Sequence, residues 1–418
     1  MENHKKTLLD KAKQYVDRLS VRFKIDMRYI VSGAFWSNAN YFVVSLLALV
    51  TSLLFARLLT KEQFGTYQYI LSIAGLLSSI TLTGMNASVT RAVAKGFEGE
   101  LKRSVRYQII IGIIPSIIAL AVSGWYLFHS QANISISLLW IALFLPAANA
   151  LNTWAAFMGG KKLFRLGTYY GLINTVISYG GVIIMLCFTR NFIWIAFGNF
   201  FFGFLGNLVM YNLILKRFKP NDSIEKDTLS YGTHLSAMNI PNAASSQLDA
   251  LLVFHFVGPT ALAIYTFATL IPEKLAGGLK LLSSLALPKF SEKSEESVRR
   301  FLIKNMPLML IGIGTFIGLY ALIAPWIFHI FFPTYDASIP FTQVYALSFF
   351  SVIGGIVQAA LQSQKKTKAL YITSFLTPSI EAFLLVILMY YFGVWGILWA
   401  QIITNIIQIP IQMAFLEK

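Results

Sequence analysis

The chain has 418 residues, 56% of them hydrophobic and 12% charged, with mean hydropathy +0.64 and a formal net charge of +16. Soluble domains carry roughly 25% charged residues, so a water-soluble fold is excluded. The positive charges lie between apolar stretches and not on a hydrophilic domain, which points to membrane topology and sets nucleic-acid binding aside.

Residues 1–30 hold eight Lys/Arg and lack the short apolar core and cleavage site of a secretory leader. Leu8, Ala12, Val16, Leu19 and Phe23 recur at steps of three and four, which predicts a basic amphipathic arm on the cytoplasmic membrane surface; a solvated tail is the alternative. From residue 31 onward twelve apolar segments follow, near 31–56, 64–85, 105–128, 134–158, 166–188, 192–215, 231–257, 259–287, 305–332, 339–362, 369–392 and 393–416. Each is long enough for a hydrocarbon core of roughly 30 Å. The expected fold is therefore an all-α integral membrane protein with twelve transmembrane helices. Twenty-nine of the 34 Lys/Arg fall on one side of this pattern and only Arg57, Lys61 and Arg190 on the other, with Lys274 and Lys280 inside the eighth segment. The positive-inside rule then places both termini in the cytoplasm.

The loops are short, the longest lying around 217–230 and 289–304, and no GxxxxGK[ST] phosphate loop occurs. The chain has no room outside the membrane for sugar-nucleotide or ATP chemistry, so transport is expected and catalysis is not. The single cysteine, Cys187, lies inside a segment, which excludes disulfides and thiolate metal sites. The histidines His234, His255 and His329 are scattered without metal-ligand spacing.

An internal repeat divides the chain. Residues 53–73 align with 251–271 at a constant offset of 198, matching Leu53, Leu54, Tyr67 and Ile73 to Leu251, Leu252, Tyr265 and Ile271. KKLFRL at Lys161 meets KKTKAL at Lys365 at offset 204, which also brings Phe188 onto Phe392 and Ala196 onto Ala400. The division expected is an N-terminal six-helix bundle over 31–216, a cytoplasmic linker over 217–230 and a C-terminal six-helix bundle over 231–418. Repeats of this kind mark transporters that bind between their halves.

Ionisable groups inside such segments cost at least about 2.5 kcal/mol on insertion scales and usually face a cavity or a partner. Asn242, Ser245 or Ser246, and Asp249 share one helical face beyond Pro241. This stripe reads as a cavity wall, or as a buried carboxylate satisfied by backbone. Glu273, Lys274 and Lys280 follow Pro272, and Glu381 follows Pro378. Glu273 and Lys274 are sequence neighbours and must look to other helices for partners. Lys274 and Glu381 are either an ion pair across the cavity or separate contacts, and Lys280 lies near enough to the cytoplasmic surface to snorkel. Gln401, Asn405, Gln408 and Gln412 form a polar face on the last segment, which lines a path or bonds neighbouring helices.

The run from Leu53 to Gly96 resembles the first two spans of polysaccharide exporters, with Ala56-Arg57-Leu58, Phe64-Gly65, Tyr67, Gly84 and Arg91 at the pattern's positions. Asp249, Tyr265 and Pro288 look like that family's second half; Ala263 departs from the glycine often kept there. The resemblance spans nearly the whole chain. It implies a flippase for polyprenyl-diphosphate-linked oligosaccharide in the bacterial cytoplasmic membrane, of the O-antigen or capsule type, within the superfamily that also holds multidrug extrusion proteins. A charged, hydrated head group of this kind cannot cross hydrocarbon unaided. Lys274, Lys280, Arg57 and Arg91 are the candidate cations for the diphosphate, and Asn242, Gln401 and Asn405 are candidates for the sugars. Asp249, Glu381 and Glu273 are the candidates for coupling to H+ or Na+, with no other cofactor expected. Contact with the glycan polymerase machinery is a further expectation. A cation-coupled multidrug antiporter is the alternative, and a membrane glycosyltransferase or polymerase stands behind it.

Overall fold

The computed structural model describes residues 27–364 and 366–416, with side chains described from residue 41 onward apart from 280–285 and 287–289. The expected arm at 1–30 and the side chain of Lys280 thus lie, wholly or nearly so, outside the described residues.

The described chain is helical and runs back and forth in twelve legs. Eight are single long helices: Met27–Leu58 is the first leg, Phe164–Phe188 the fifth, Phe192–Phe218 the sixth, Thr228–Phe256 the seventh and Pro259–Ser291 the eighth. Glu295–Phe331, Thr367–Phe392 and Val394–Phe415 are the ninth, eleventh and twelfth. The remaining legs are broken. The second consists of Lys61–Ser78 and Met85–Ala94, the third of Glu100–Ile111 and Ile113–Phe128, and the fourth of Ala132–Leu151 and Thr153–Gly160. The tenth joins 3-10 turns at Pro333–Ser338 and Ala346–Phe350 to the helices Ile339–Tyr345 and Ser351–Ser363. All loops rich in Lys/Arg lie at one end of the legs, called here the basic end; the other is the neutral end.

Among the described residues nine stretches are long and apolar enough to cross a membrane, matching legs one, three to six and nine to twelve. Legs two, seven and eight fall outside that set, and these three join the halves. Leg two packs on leg eight near the neutral end and on leg seven along its whole length. Within the first bundle the sixth leg packs on the fourth and fifth, the third on the fourth, and the first on the fifth. Within the second the eleventh packs on the twelfth and the tenth on the eighth and twelfth. Position in the bundle follows composition. The ninth leg, whose apolar window is only 6% buried, presents Leu308, Leu322 and Trp326 outward, as a lipid-facing helix must.

The internal repeat is written into the helix boundaries. The first leg ends at Leu58 and the seventh at Phe256, 198 residues later; the helices that follow are capped at Thr60 and Gly258, again 198 apart. Thr60 makes a full capping box with Gln63, whereas Gly258 takes a φ of 105 and hands over to Pro259 as the first helical residue. The fifth and eleventh legs end at Phe188 and Phe392, 204 apart.

The halves meet closely at the neutral end. Gly65 lies against the backbone of Pro259, where an added Cβ would sit 1.8 Å from the carbonyl oxygen, so only glycine allows legs two and eight to cross here. Phe64 packs on Phe267 at 5.0 Å between ring centroids, Phe267 on Tyr335 at 3.9 Å, and Tyr69 stacks on Phe254 at 3.8 Å. The Tyr69 hydroxyl also meets Tyr126 at 2.5 Å and His255 Nε2 at 2.9 Å. Toward the basic end the contacts are polar: Ser236 Oγ accepts from the Gly84 amide at 3.0 Å, and Ser88 Oγ donates to the Thr228 carbonyl at 2.6 Å.

Candidate functional site

A cluster of polar groups lies in the second bundle, where Asp249 and Glu381 are half-buried, Glu273 is exposed, and each carboxylate stands on a helix interrupted by proline. Pro241 precedes Asp249 on leg seven, Pro272 directly precedes Glu273 on leg eight, and Pro378 precedes Glu381 on leg eleven. Each proline lacks an N–H and so leaves a carbonyl four residues earlier without its helical partner, which makes these legs locally polar.

Asp249 Oδ2 accepts from the Tyr265 hydroxyl at 2.5 Å and from Gln401 Nε2 at 3.0 Å, and the same Gln401 nitrogen donates to the Tyr265 oxygen at 3.0 Å. Legs seven, eight and twelve are thereby tied together around one carboxylate. Gln401 Oε1 is buried without a partner. The Tyr345 and Thr269 side chains lie beside Glu273, and Glu381 accepts from Ser245 Oγ at 3.5 Å. The charge of Asp249 reaches both glutamates, and the charge of Lys274 reaches Glu273. The three carboxylates therefore sense one another without converging: among the described residues no three His, Cys, Asp or Glu groups are arranged to hold a metal ion.

The structure brings together Asp249, Glu273, Lys274, Glu381 and Gln401 of the residues singled out from sequence. Glu381 bonds Ser245, and no ion pair links it to Lys274 among the described residues. The Lys274 carbonyl also accepts from the Tyr41 hydroxyl at 3.0 Å, a contact between legs one and eight. Asn242 is exposed and Asn405 partly buried, on the same legs as the cluster but with no hydrogen bond among the described residues. Gln412 is fully buried near Gly354 of leg ten, with neither amide atom partnered. Arg57 and Arg91 stand apart from the cluster. Arg57 is exposed in the last turn of leg one at the neutral end. Arg91, at the basic end, lies 3.7 Å from Glu225 and over the Tyr231 ring.

Glu225 is the centre of a clamp that holds the linker between the bundles. Lys95 bonds it at 2.5 Å, and the neighbouring Glu98 pairs with Lys161 while Glu100 pairs with Arg103. The Lys95 hydrogen bond, reinforced by the charges of Lys95 and Arg91, holds the Glu225 carboxyl below its ordinary value.

Sequence reasoning did not single out Tyr345 and Thr269. Hydroxyls in apolar segments are common, and only the packing of leg ten on leg eight aims them at Glu273. It also passed over a second polar chamber of about 270 Å3 in the first bundle, lined by Thr51, Tyr67, Gln68, Tyr179 and Asn199 among others. The 198-residue offset held the clue, because it sets Thr51 on Asp249 and Tyr67 on Tyr265.

Comparison with known proteins places this architecture. The family model described as "Polysaccharide biosynthesis protein" matches residues 30–292. The chain belongs to that family. No curated protein sequence matches it. Among solved structures it is similar to a multidrug resistance MATE family transporter of the MOP superfamily in its outward-facing conformation, at 13% identity and a TM-score of 0.63, covering 93% of this chain and 96% of that one. The inward-facing conformation of such a transporter matches at 12% identity and 0.62, covering 93% of each. A MOP superfamily transporter from Pyrococcus furiosus, whose binding pocket is described as reversed in polarity, matches at 14% and 0.55, covering 93% and 96%. The polysaccharide family member is thus a multi-pass membrane protein with a fold similar to that of these transporters.

Proposed function

We propose that the protein carries a polyprenyl-diphosphate-linked oligosaccharide across the bacterial cytoplasmic membrane by alternating access, with its basic end in the cytoplasm, for surface polysaccharide assembly. The family match over residues 30–292 is the observation that carries this reading. The fold supports it, since two bundles joined by the three most polar legs can rock about a central path. The tail of such a substrate stays in lipid while the head crosses between the bundles. Lys274, and Lys280 outside the described residues, supply positive charge for the diphosphate. Asn242 and Asn405 offer amides to the sugars. Arg57 and Arg91 take a different part: they stand at opposite ends of the path, where Arg91 also holds the linker.

Asp249 is the coupling carboxylate of this mechanism. Repulsion among Asp249, Glu273 and Glu381 in a low-dielectric bundle is relieved by a proton or a sodium ion, so occupancy of the cluster biases how legs seven, eight, eleven and twelve pack. No bond is made or broken. One observation favours a second reading, cation-coupled multidrug extrusion: the described cluster holds three carboxylates to a single lysine.

The test follows the lipid-linked oligosaccharide in cells lacking the gene. Accumulation on the cytoplasmic leaflet, relieved by wild type but not by Lys274→Ala or Asp249→Asn, is the expected result. Normal arrival at the outer leaflet without the protein would sink the reading, and drug-efflux assays would then judge the second one.

A further inference from the structure

The chamber in the first bundle is the repeat counterpart of the Asp249 cluster. Thr51 stands where Asp249 does and Tyr67 where Tyr265 does, 198 residues apart in both cases. Asn199 is the eighth residue of its helix, which starts at Phe192, and Gln401 the eighth of its own, which starts at Val394. The same three-leg geometry therefore recurs, with hydroxyl and amide in place of a carboxylate.

The chamber has no charged residue among its lining groups. Its hydroxyls are oriented by their own helices: Thr51 donates to the Leu47 carbonyl and Ser52 to the Ala48 carbonyl at 2.8 Å, and Ser178 to the Asn174 carbonyl at 3.0 Å. With their protons engaged, the three present lone pairs to the cavity. Tyr67 is only 2% exposed and is one of the residues lining the chamber. Tyr179 is close to it, and the Gln68 and Asn199 amides complete the wall.

We infer that this chamber is a binding subsite for one neutral, polyhydroxylated sugar residue. Ring hydroxyls donate to the Thr51, Ser52 and Ser178 oxygens, the amides and phenols serve the remaining oxygens or an N-acetyl group, and the Phe55, Tyr67 and Tyr179 rings offer apolar faces to the sugar's C–H surface. The lining repels neither charge sign outright but pairs with neither, so a diphosphate or a drug cation gains nothing here over water. The volume, about 270 Å3, lies at the lower edge of the roughly 300–1,000 Å3 of small-molecule sites, which suits a single ring. The inference rests on the proposed flippase reading for its biological ligand, the sugar part of the lipid-linked substrate, but the site's chemistry can be read by itself.

The experiment is saturation-transfer NMR on the purified protein in nanodiscs, with free hexoses, N-acetylhexosamines, a uronate and sodium as separate probes. A neutral sugar should bind and the uronate should not. Tyr67→Phe, which removes one oxygen, should weaken binding about fivefold, and Asn199→Leu, which also fills the chamber, by tenfold or more. Binding of sodium alone, binding of no neutral sugar, or unchanged sugar binding in Tyr67→Phe overturns the inference; the phenylalanine variant serves where the leucine variant does not fold. The leaflet assay separates the two proposals. Wild type that binds sugar in this chamber but moves no lipid-linked oligosaccharide would sink the flippase reading alone. Variants that translocate normally and bind sugar like wild type would sink the subsite alone.

Discussion

Replacing Gly65 with alanine should drive the two bundles apart at the neutral end. An alanine Cβ would stand 1.8 Å from the Pro259 oxygen and 2.6 Å from its carbonyl carbon. Ordinary contact begins near 3.4 Å, so the helices must separate by about 1.6 Å or the variant bears an overpacking cost of about 1–3 kcal/mol. Pro259 cannot yield, because its ring fixes φ and it opens a helix directly behind Gly258. The cost falls on the contact between bundles and not on either bundle's interior. A conformation in which legs two and eight have parted escapes it, so the equilibrium should move toward that conformation by about 5–150-fold. Spin labels at Thr60 and Thr260, both exposed, would report the change as a longer distance population once Cys187 is replaced by serine. Alanine at 65 with wild-type distances and wild-type thermal stability would refute the reasoning.

Three further outcomes follow from the same geometry. Gly396→Ala sets a Cβ 1.9 Å from the Leu388 oxygen inside the hairpin of legs eleven and twelve, so it should lower Tm by several degrees while leaving the Thr60 to Thr260 distance alone. Tyr265→Phe removes the 2.5 Å hydrogen bond to Asp249, and bonds to charged groups contribute about 1.5–3 kcal/mol, so the half-maximal concentration of the coupling ion in a transport assay should shift by at least tenfold. The Glu225 clamp should respond to acid. Its folded-state carboxyl titrates below the ordinary 4.5, so its stabilisation is fully present above that pH and is lost as pH falls through the lowered value. Hydrogen exchange in residues 221–227 should therefore rise in acid for wild type and lose that dependence in Glu225→Gln; identical profiles would remove Glu225 from the clamp.

Of the twelve apolar segments expected from the sequence, nine are long and apolar enough to cross a membrane among the described residues, and several helix ends fall at the offsets of the aligned segments. The breaks were not legible in the sequence. Leg two was expected as one apolar segment over 64–85, yet it divides after Ser78, where Leu82 takes a φ of 61 and the Ser79 and Thr81 hydroxyls turn back to carbonyls of their own helix. Leg nine begins at Glu295, ahead of the expected 305, because a helix capped by Ser294 continues beyond the hydrocarbon into charged residues that hydropathy excludes. In the site, carboxylates announced themselves through the cost of burying charge, so Asp249, Glu273 and Glu381 could be named from sequence. Their partners could not. Tyr345 is 72 residues from Glu273 in sequence, and a tyrosine in an apolar segment carries no mark of whether it meets lipid or a carboxylate. Arg57 and Arg91, named with Lys274 as candidate cations, stand apart from the cluster at opposite ends of the legs, a separation that charge in the sequence does not reveal.

The duplicated architecture gives the unequal halves their meaning. If both bundles carried an aspartate at the repeat position, either could bind the coupling cation and neither would fix which half responds to it. Thr51 in place of Asp249 removes that ambiguity. On the proposed mechanism, a cation in the Asp249 cluster would act on legs seven, eight, eleven and twelve, whereas the first-bundle chamber, with no carboxylate in its lining, would not respond to it. The two bundles meet chiefly where legs two, seven and eight touch, with a further contact between legs one and eight, and Tyr67 and Tyr265 lie on the legs that cross at Gly65 and Pro259. A change of packing around Tyr265 is therefore delivered to the chamber around Tyr67 through one close backbone crossing. Introducing an aspartate at position 51 tests this directly: Thr51→Asp should make transport depend on the ion at two sites, with a steeper or biphasic concentration curve. A single curve superimposable on wild type would mean that the first bundle never enters the ion's thermodynamic cycle, even when it carries the charge.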